Sequence, residues 1–192
     1  MPTQKFGRES VLDAALELVR ERGYESLSAR AVAERAGCSV QPLYSLFGDM
    51  DGLTRALYDH ARVWVTSYNE TYRKDAPNVF AANGRAHLML AKEEPRLFAF
   101  LYSSPYLQAQ DFDELYKSVT QPGVQEFIQE RGEADAKAAH DMYLDMIIYS
   151  HGLAAMLAVG ATFSDEELAE RMDGAFYAFA SRGGGKTGKG RR

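Results

Sequence analysis

The chain has 192 residues, of which 46% are hydrophobic and 26% charged, which is ordinary for a globular protein that can bury a sizeable core. No apolar run reaches the ~18 residues of a membrane span, the N-terminus lacks a signal peptide's apolar stretch, and the single cysteine excludes an intrachain disulfide, so we expect a cytoplasmic protein. The net charge of −5 weighs against nucleic acid as a partner, but the excess of acidic side chains lies in residues 63–182, whereas residues 1–62 are nearly neutral.

Four helices are predicted in the first part of the chain from the helical spacing of apolar residues. They cover residues 8–22, 29–36, 40–47 and 51–74. Gly23 and Gly37 end the first two helices, as glycine commonly does just beyond a helix C-terminus. Ser26 or Ser28 is expected to cap the second helix, and Ser39 the third.

The rest of the chain also shows helical periodicity and no strand alternation. Predicted helices there cover residues 78–93, 96–103, 109–131, 134–160 and 164–181, with breaks at prolines and glycines. The predicted fold class is therefore all-α, with about nine helices. The terminal stretch, residues 183–192, is glycine-rich and cationic. It is either an auxiliary nucleic-acid contact or a solvated or artificial tail, and its composition favours the second interpretation.

Two short helices joined by a glycine-containing turn are predicted in residues 33–53, AERAGCSVQPLYSLFGDMDGL. This is the helix-turn-helix arrangement. Its second helix can be short, because only the N-terminal residues of a recognition helix need to reach base edges in a major groove about 12 Å wide. Leu43, Phe47 and Leu53 are expected to pack into the core.

The same region resembles the N-terminal DNA-binding domain of the TetR-type (TetR/AcrR) transcriptional regulators. The matching positions stand in the family's order and spacing: Gly23-Tyr24, Ser28, Ala36-Gly37, Ser39, Leu43-Tyr44, Phe47 and Leu53. The resemblance implies a three-helix DNA-binding domain in residues 1–50. It also implies a helical effector-binding and dimerisation domain in residues 51–182, followed by a flexible basic tail in residues 183–192.

The resemblance also implies the DNA contacts. It assigns phosphate contacts to Ser28, Arg30 and Tyr44, and groove-facing positions to Ser39, Val40, Gln41 and Ser45. Gln41 is the best base reader, since its amide can bind N6 and N7 of adenine together. Lys5 and Arg8 could add phosphate contacts from the N-terminal arm.

This sequence departs from the family at two places. Gln41-Pro42 stands where glycine followed by Thr, Ser or Ala is common. Met50 stands where a lysine commonly contacts a phosphate, and Asp49 and Asp51 on either side would repel the DNA backbone. We therefore expect DNA affinity to be weak or strongly dependent on salt.

In this family the remaining helices form an effector pocket and a dimer interface. Residues 87–106 and 141–160 are rich in aromatic and methionine side chains, more than one helix stripe can bury. The predicted ligand-binding residues, for a hydrophobic or aromatic compound, are Trp64, Tyr68, Phe98, Leu101, Tyr102, Tyr143, Met146 and His151. Ordinary core packing is the alternative at each position, and for His151 a core histidine is slightly preferred.

The run Tyr149-Ser150-His151-Gly152-Leu153 resembles a subgroup with a Trp-His-Gly-type C-terminal domain, although a tyrosine stands at the tryptophan position. Small and apolar residues on the last two predicted helices suit a four-helix homodimer interface. DNA geometry favours a dimer too, because two recognition helices about a two-fold axis reach successive major grooves of a palindromic operator, about 34 Å apart.

An enzyme is disfavoured by the motifs. The four histidines lack metal-ligand spacing, Cys38 is isolated, and there is no nucleotide-binding, zinc-protease or nucleophile-elbow motif. No catalytic residue, metal or cofactor is predicted. The preferred function is a ligand-responsive repressor, and an activator would use the same residues. The alternative is an all-α dimeric ligand- or partner-binding protein with weakened DNA binding.

Overall fold

The computed structural model of the chain describes residues 7–74, 76, 79–119, 124 and 133–183. Within these residues nine α-helices and the 3₁₀ turn Tyr24–Ser26 are present, and no strand. The helices are α1 (Arg8–Arg22), α2 (Ala29–Ala36), α3 (Val40–Phe47), α4 (Met50–Arg73), α5 (Val79–Glu93), α6 (Pro95–Tyr102), α7 (Phe112–Val119), α8 (Glu133–Ala158) and α9 (Asp165–Gly183). The predicted all-α fold is confirmed.

Most predicted helix bounds agree with the structure to within two residues. The exception is the predicted helix 109–131, since α7 covers Phe112–Val119 only. Apart from Val124, the remainder of that prediction lies outside the described residues, as do Lys5 and the predicted tail after residue 183. Every helix in the described ranges is too short or too polar to cross a lipid bilayer.

The chain divides into two compact units. The first consists of Met1–Tyr68 and Glu93–Leu107, and the second of Asn69–Lys92 and Gln108–Arg192. The first unit therefore contains α6 as well as the helix-turn-helix and most of α4. These compact units do not coincide with the two functional domains expected from the sequence, whose boundary at residue 50 stays a prediction.

The core of the first unit forms around α1, which buries one broad apolar face. Its buried residues are Val11, Leu12, Ala14, Ala15, Leu16, Leu18 and Val19. Helix α6 begins with Pro95 in its first turn and packs against α1. Its fully buried Phe100 contacts Tyr24 and Tyr58, with ring centroids 5.6 Å apart in both pairs. Burying an aromatic ring contributes on the order of 2–3 kcal/mol, so α6 is part of the support of the helix-turn-helix.

In the second unit α8 and α9 pack against each other and bury small and aliphatic residues. Among the small and aliphatic residues of this pair, Ala154, Leu157, Leu168 and Ala175 are buried. A separate aromatic cluster surrounds Tyr143, where Phe80 and Tyr116 meet its ring edge-on at centroid distances of 5.3 and 5.9 Å. Tyr143 is only 7% exposed, so its side chain is a core element of this unit.

Candidate nucleic-acid interface

The turn between α2 and α3 is tight because of Gly37. Its φ of 69° and ψ of 30° lie in the left-handed region, where a side chain would be strained. The N–H of Gly37 donates to the carbonyl of Glu34 at 3.2 Å, and that of Cys38 donates to the carbonyl of Ala33 at 2.9 Å. These two bonds form a Schellman motif, which satisfies the last carbonyls of α2 and lets α3 begin at Val40.

Helix α3 separates a buried face from an exposed face. Leu43 is 2% exposed and points into the core, as predicted. Gln41, Tyr44 and Ser45 are all exposed, and their spacing of three and four residues places them on one side of the helix. Tyr44 is 48% exposed, which is unusual for a large aromatic residue and makes its hydroxyl accessible to an external partner.

The remaining predicted groove residues lie at the start of the same helix. Ser39 occupies the N-cap position of α3 and is exposed, but its side chain makes no capping hydrogen bond. Its hydroxyl is thus available for an external acceptor. Val40 is half-buried. Ser45 donates its hydroxyl hydrogen to the carbonyl of Gln41 at 3.2 Å, which leaves its oxygen lone pairs as acceptors.

The predicted phosphate residues of α2 are placed at its N-terminus. Ser28 is the N-cap, and its hydroxyl oxygen accepts the N–H of Ala31 at 3.2 Å. Because the oxygen is the acceptor in this bond, the hydroxyl hydrogen can still be donated outward. Arg30 is exposed and forms no ion pair with any residue of the described ranges. A cation and a donor at a helix N-terminus suit an anion such as a phosphate.

Arg8 makes contacts within the domain, and its phosphate contact stays a prediction. Its Nη1 donates to the carbonyl of Leu46 at 2.9 Å, and its guanidinium lies 4.5 Å from the centre of the Phe47 ring. Arg8 therefore joins the start of α1 to the end of α3. Lys5 lies outside the described residues.

The acidic residues at the start of α4 have structural partners. Asp49 accepts the N–H of Gly52 at 2.8 Å and so caps the helix. Asp51 accepts Nε of Arg55 at 2.7 Å, one helical turn along. Both carboxylates therefore have a role within the fold besides their expected repulsion of DNA. The pair of Asp51 with Arg55 reduces the repulsion between the start of α4 and a DNA backbone, and Asp49 caps the start of this helix.

The five predicted ligand residues of the first unit fall into two groups. Trp64 and Tyr68 belong to a layered cluster on α4, in which their rings stack at 5.5 Å and the guanidinium of Arg20 lies 4.7 Å from the Trp64 ring centre. Tyr68 donates its hydroxyl to Glu93 at 2.6 Å, and Arg20 pairs with Glu94 through two hydrogen bonds. This layered cluster joins α1, α4 and the junction of α5 with α6.

The second group is buried on α6. Phe98 is 1% exposed and Leu101 2%, and the carbonyl of Leu101 accepts the Tyr58 hydroxyl at 2.9 Å. Burial raises the pKa of Tyr102 to about 12, so its phenol is neutral at physiological pH. These side chains are core residues of the first unit, and their role toward a ligand stays a prediction.

The three predicted ligand residues of the second unit lie along α8. Tyr143 belongs to the aromatic cluster described above, and Met146 is half-buried. His151 lies beside His87 of α5, with ring centroids 5.9 Å apart. Burial and the nearby His151 lower the pKa of His87 to about 3, and burial also lowers the pKa of His151. Both imidazoles are therefore neutral at pH 7. Among the residues placed by the structure, no three His, Cys, Asp or Glu side chains converge on a metal site.

A buried α1, a capped α2, a Schellman turn and a short exposed α3 define a helix-turn-helix domain. Residues 11–57 match the family model described as "Bacterial regulatory proteins, tetR family". The N-terminal domain of the chain is therefore similar to that of the TetR family of transcriptional regulators, as the sequence resemblance predicts. The Trp-His-Gly-type subgroup stays a prediction.

Two curated relatives match over short stretches of similar length. The HTH-type transcriptional repressor KstR of Rhodococcus jostii is 50% identical over 44 residues, which are 23% of this chain and 21% of that protein. The HTH-type transcriptional repressor ComR of Escherichia coli is 37% identical over 54 residues, which are 28% of this chain and 26% of that protein. The match thus spans about a quarter or less of the length of these relatives.

Solved structures extend the likeness of fold to nearly the whole chain. A TetR-like transcriptional regulator from Rhodococcus sp. RHA1 aligns over 96% of this chain and 100% of its own, with a TM-score of 0.55 and 18% identity. A TetR-family regulator from Mesorhizobium loti, described as putative, aligns over 91% and 95%, with a TM-score of 0.56 and 15% identity. At these identities the likeness concerns the fold.

Proposed function

We propose that the protein is a DNA-binding transcriptional regulator that acts in the cytoplasm as a repressor and leaves its operator when a small hydrophobic or aromatic effector binds. The observation that carries the proposal is α3, which buries Leu43 and exposes Gln41, Tyr44 and Ser45 on one side. The match of residues 11–57 to the tetR family model supports it, as do the names of KstR and ComR, both transcriptional repressors.

On DNA, helices α2 and α3 make different kinds of contact. Ser28 and Arg30 at the start of α2 contact phosphates and hold the domain in register, together with the Tyr44 hydroxyl. The side chain of Gln41 enters the major groove and reads a base, with Ser39, Val40 and Ser45 beside it. The exposed hydroxyls of this set are donors or acceptors that the fold itself leaves available.

Binding to a palindromic operator requires a homodimer, for which α8 and α9 offer a surface. Ile148, Gly152 and Met156 follow one another at four-residue spacing on α8, and all are exposed. Val159 extends this stripe with 87% exposure, and Tyr177 of α9 is 71% exposed. A contiguous apolar face of this kind on a chain in water is typical of a protein interface.

Replacing Met156 with glutamate should convert the dimer into a monomer that keeps its helical content, since the charge would have to be buried without a partner. Sedimentation equilibrium measures the mass, and circular dichroism measures the helicity. Val63→Glu is the matched control, because Val63 is 67% exposed on α4, outside the last two helices. A Met156→Glu variant that stays dimeric, or a Val63→Glu variant that dissociates equally, would place the interface elsewhere.

Release is a shift between two conformations of the dimer. The effector prefers the conformation whose recognition helices do not match the operator spacing. DNA affinity then falls by no more than the ratio of the effector's affinities for the two conformations. Helix α4 is suited to connect effector binding with the release of DNA. It starts at the helix-turn-helix, and its last residues, from Asn69 to Arg73, belong to the second unit.

Fluorescence anisotropy with DNA flanking the protein's own gene tests the proposal, at about 50 and 200 mM salt and with scrambled competitor. Binding that survives the competitor is the expected result. Binding that the competitor removes at both salt concentrations would instead favour an all-α dimeric ligand- or partner-binding protein with weakened DNA binding, for which Met50 is the sequence reason.

Two variants of α3 should separate affinity from specificity. Tyr44→Ala should weaken binding to all sequences by a similar factor, because it removes a phosphate contact. Gln41→Ala should mainly relax base preference, with about 1–3 kcal/mol of discrimination lost at one base pair. Competition anisotropy with single-base operator variants measures both effects. If Gln41→Ala discriminated among these variants as well as the parent does, Gln41 would not be the base reader.

A further inference from the structure

The second unit contains a buried donor for which the described residues supply no acceptor. Nδ2 of Asn83, on α5, is shielded from solvent and has no hydrogen-bond partner in the described structure. Native cores rarely leave a buried amide unpaired, because the group has lost its water without gaining another bond. Exchanging the amide nitrogen and oxygen would only replace an unpaired donor by an unpaired acceptor.

Other polar groups lie near this donor. His87 follows Asn83 by one helical turn, so the two side chains share a face of α5. The ring of His87 lies 5.9 Å from that of His151 on α8, centroid to centroid. Helices α5 and α8 thus supply one carboxamide and two imidazoles to the same part of the second unit.

The charges around this cluster define what it can bind. The two imidazoles are neutral at pH 7, as the lowered pKa values indicate. The nearby cations of α5 are engaged elsewhere: Arg85 lies over the Tyr72 ring at 6.0 Å, and Lys92 pairs with Asp165 at 3.6 Å. The cluster itself therefore offers neither a positive charge to an anion nor a carboxylate to a cation.

We propose that Asn83, His87 and His151 form the polar end of the effector site, and that this site selects an uncharged, largely apolar molecule carrying a carbonyl oxygen, such as a ketone, ester or amide. The carbonyl oxygen accepts a hydrogen from Nδ2 of Asn83. The two neutral imidazoles lie on the same pair of helices and make this end of the site polar without adding a charge. That the bound molecule is an effector depends on the proposed function, and the site adds the chemical class of that molecule.

The test uses the full chain with a panel of apolar ketones, each paired with the carboxylate and the hydrocarbon of the same skeleton. Isothermal titration measures affinity, and the parent should prefer the ketone by about tenfold over both analogues, the worth of one buried hydrogen bond. The Nδ2 resonances of Asn83, followed by NMR in ¹⁵N-asparagine-labelled protein, should shift with the ketone only.

Asn83→Leu, which keeps the branching at Cγ, separates a ligand role from a structural one. It should raise the melting temperature, because it removes an unpaired buried donor, and it should abolish the preference for the ketone. A lower melting temperature with the ketone preference intact would overturn the proposal. So would a parent that binds no ketone of the panel, or one that binds the carboxylates or hydrocarbons equally well.

Measuring operator binding by the parent and by Asn83→Leu distinguishes a failure of the chemical class from a failure of the regulator proposal. If the parent and the variant bind operator alike and only the variant ignores the ketone, both proposals stand. If the parent binds ketones through Asn83 but no specific DNA, the chemical class stands and the regulator proposal fails.

Discussion

Replacing Gly52 with alanine should lower the free energy of unfolding by roughly 1–3 kcal/mol and abolish specific DNA binding. An added Cβ would stand 2.2 Å from the carbonyl oxygen of Phe47, far inside van der Waals contact. That oxygen belongs to the backbone at the end of α3, so it cannot swing aside as a flexible side chain would. Either α4 starts later or α3 moves, and both changes displace the recognition helix.

Urea unfolding followed by circular dichroism gives the free energy, and anisotropy gives the DNA affinity. Asp51→Ala is the matched control, since it places the same alanine one residue away on an exposed part of the same turn. The control loses only an exposed ion pair with Arg55, so its free energy of unfolding should stay close to the parent's, and it should bind DNA no more weakly. A Gly52→Ala variant with the parent's stability and DNA affinity would show that the junction of α3 and α4 tolerates the shift.

The close contact at Gly52 also bears on regulation. Because α4 begins against the last carbonyl of α3, a displacement of α4 cannot leave the recognition helix in place. Arg8 holds the end of α3 from the other side, through Leu46 and Phe47. A change at α4 is therefore expected to reach the recognition helix directly, which the proposed release from the operator requires.

The parts of the fold that depend on neighbouring residues could be predicted from the sequence. Gly37 and Ser28 act within their own helix ends, through a left-handed turn and an N-cap, so their types and spacing carry the information. Leu43 and Leu53 are buried, at 2% and 1% exposure, as helical periodicity indicates. The bounds of α1 to α4 follow from these same local signals.

The parts that depend on distant residues could not be predicted. The partners of Arg20, which are Glu94 and Trp64, come from α4 and the α5–α6 junction, far along the chain. Nothing in the run around Arg8 signals that it binds the end of α3. The aromatic residues of α6 carry a pattern that fits both a pocket wall and a core, and only packing against α1 separates the two.

The candidate effector site illustrates the same limit. His151 attracts attention in the sequence because a glycine follows it, whereas Asn83 lies in an ordinary helical run. Its significance depends on burial and on the lack of a partner, which are properties of the folded chain. A sequence-based interpretation thus favours aromatic residues as ligand contacts and overlooks an amide that the fold leaves unsatisfied.

Acid should destabilise the protein by about 2 kcal/mol between about pH 7 and pH 5 through His87 alone. The pKa of His87 is about 3 in the folded chain, against an ordinary value of 6.5. Between these values the unfolded chain binds the proton and the folded chain does not, so the free energy of unfolding falls as the pH falls. His151, whose pKa burial also lowers, acts in the same direction.

Urea unfolding of the parent and of His87→Gln at both pH values measures this effect. Any loss of packing in the variant is the same at pH 7 and pH 5. The difference between the free energies of unfolding at the two pH values therefore reports proton binding alone. Glu21, Asp141 and Glu167, whose pKa values are lowered in the folded chain, act in the same direction, but mostly below pH 5 and equally in the parent and the variant. The variant should lose most of the parent's dependence on pH. A parent equally stable at both pH values would mean that His87 is protonated or solvated in the folded chain, and the neutral histidine pair on which the carbonyl preference depends would not exist.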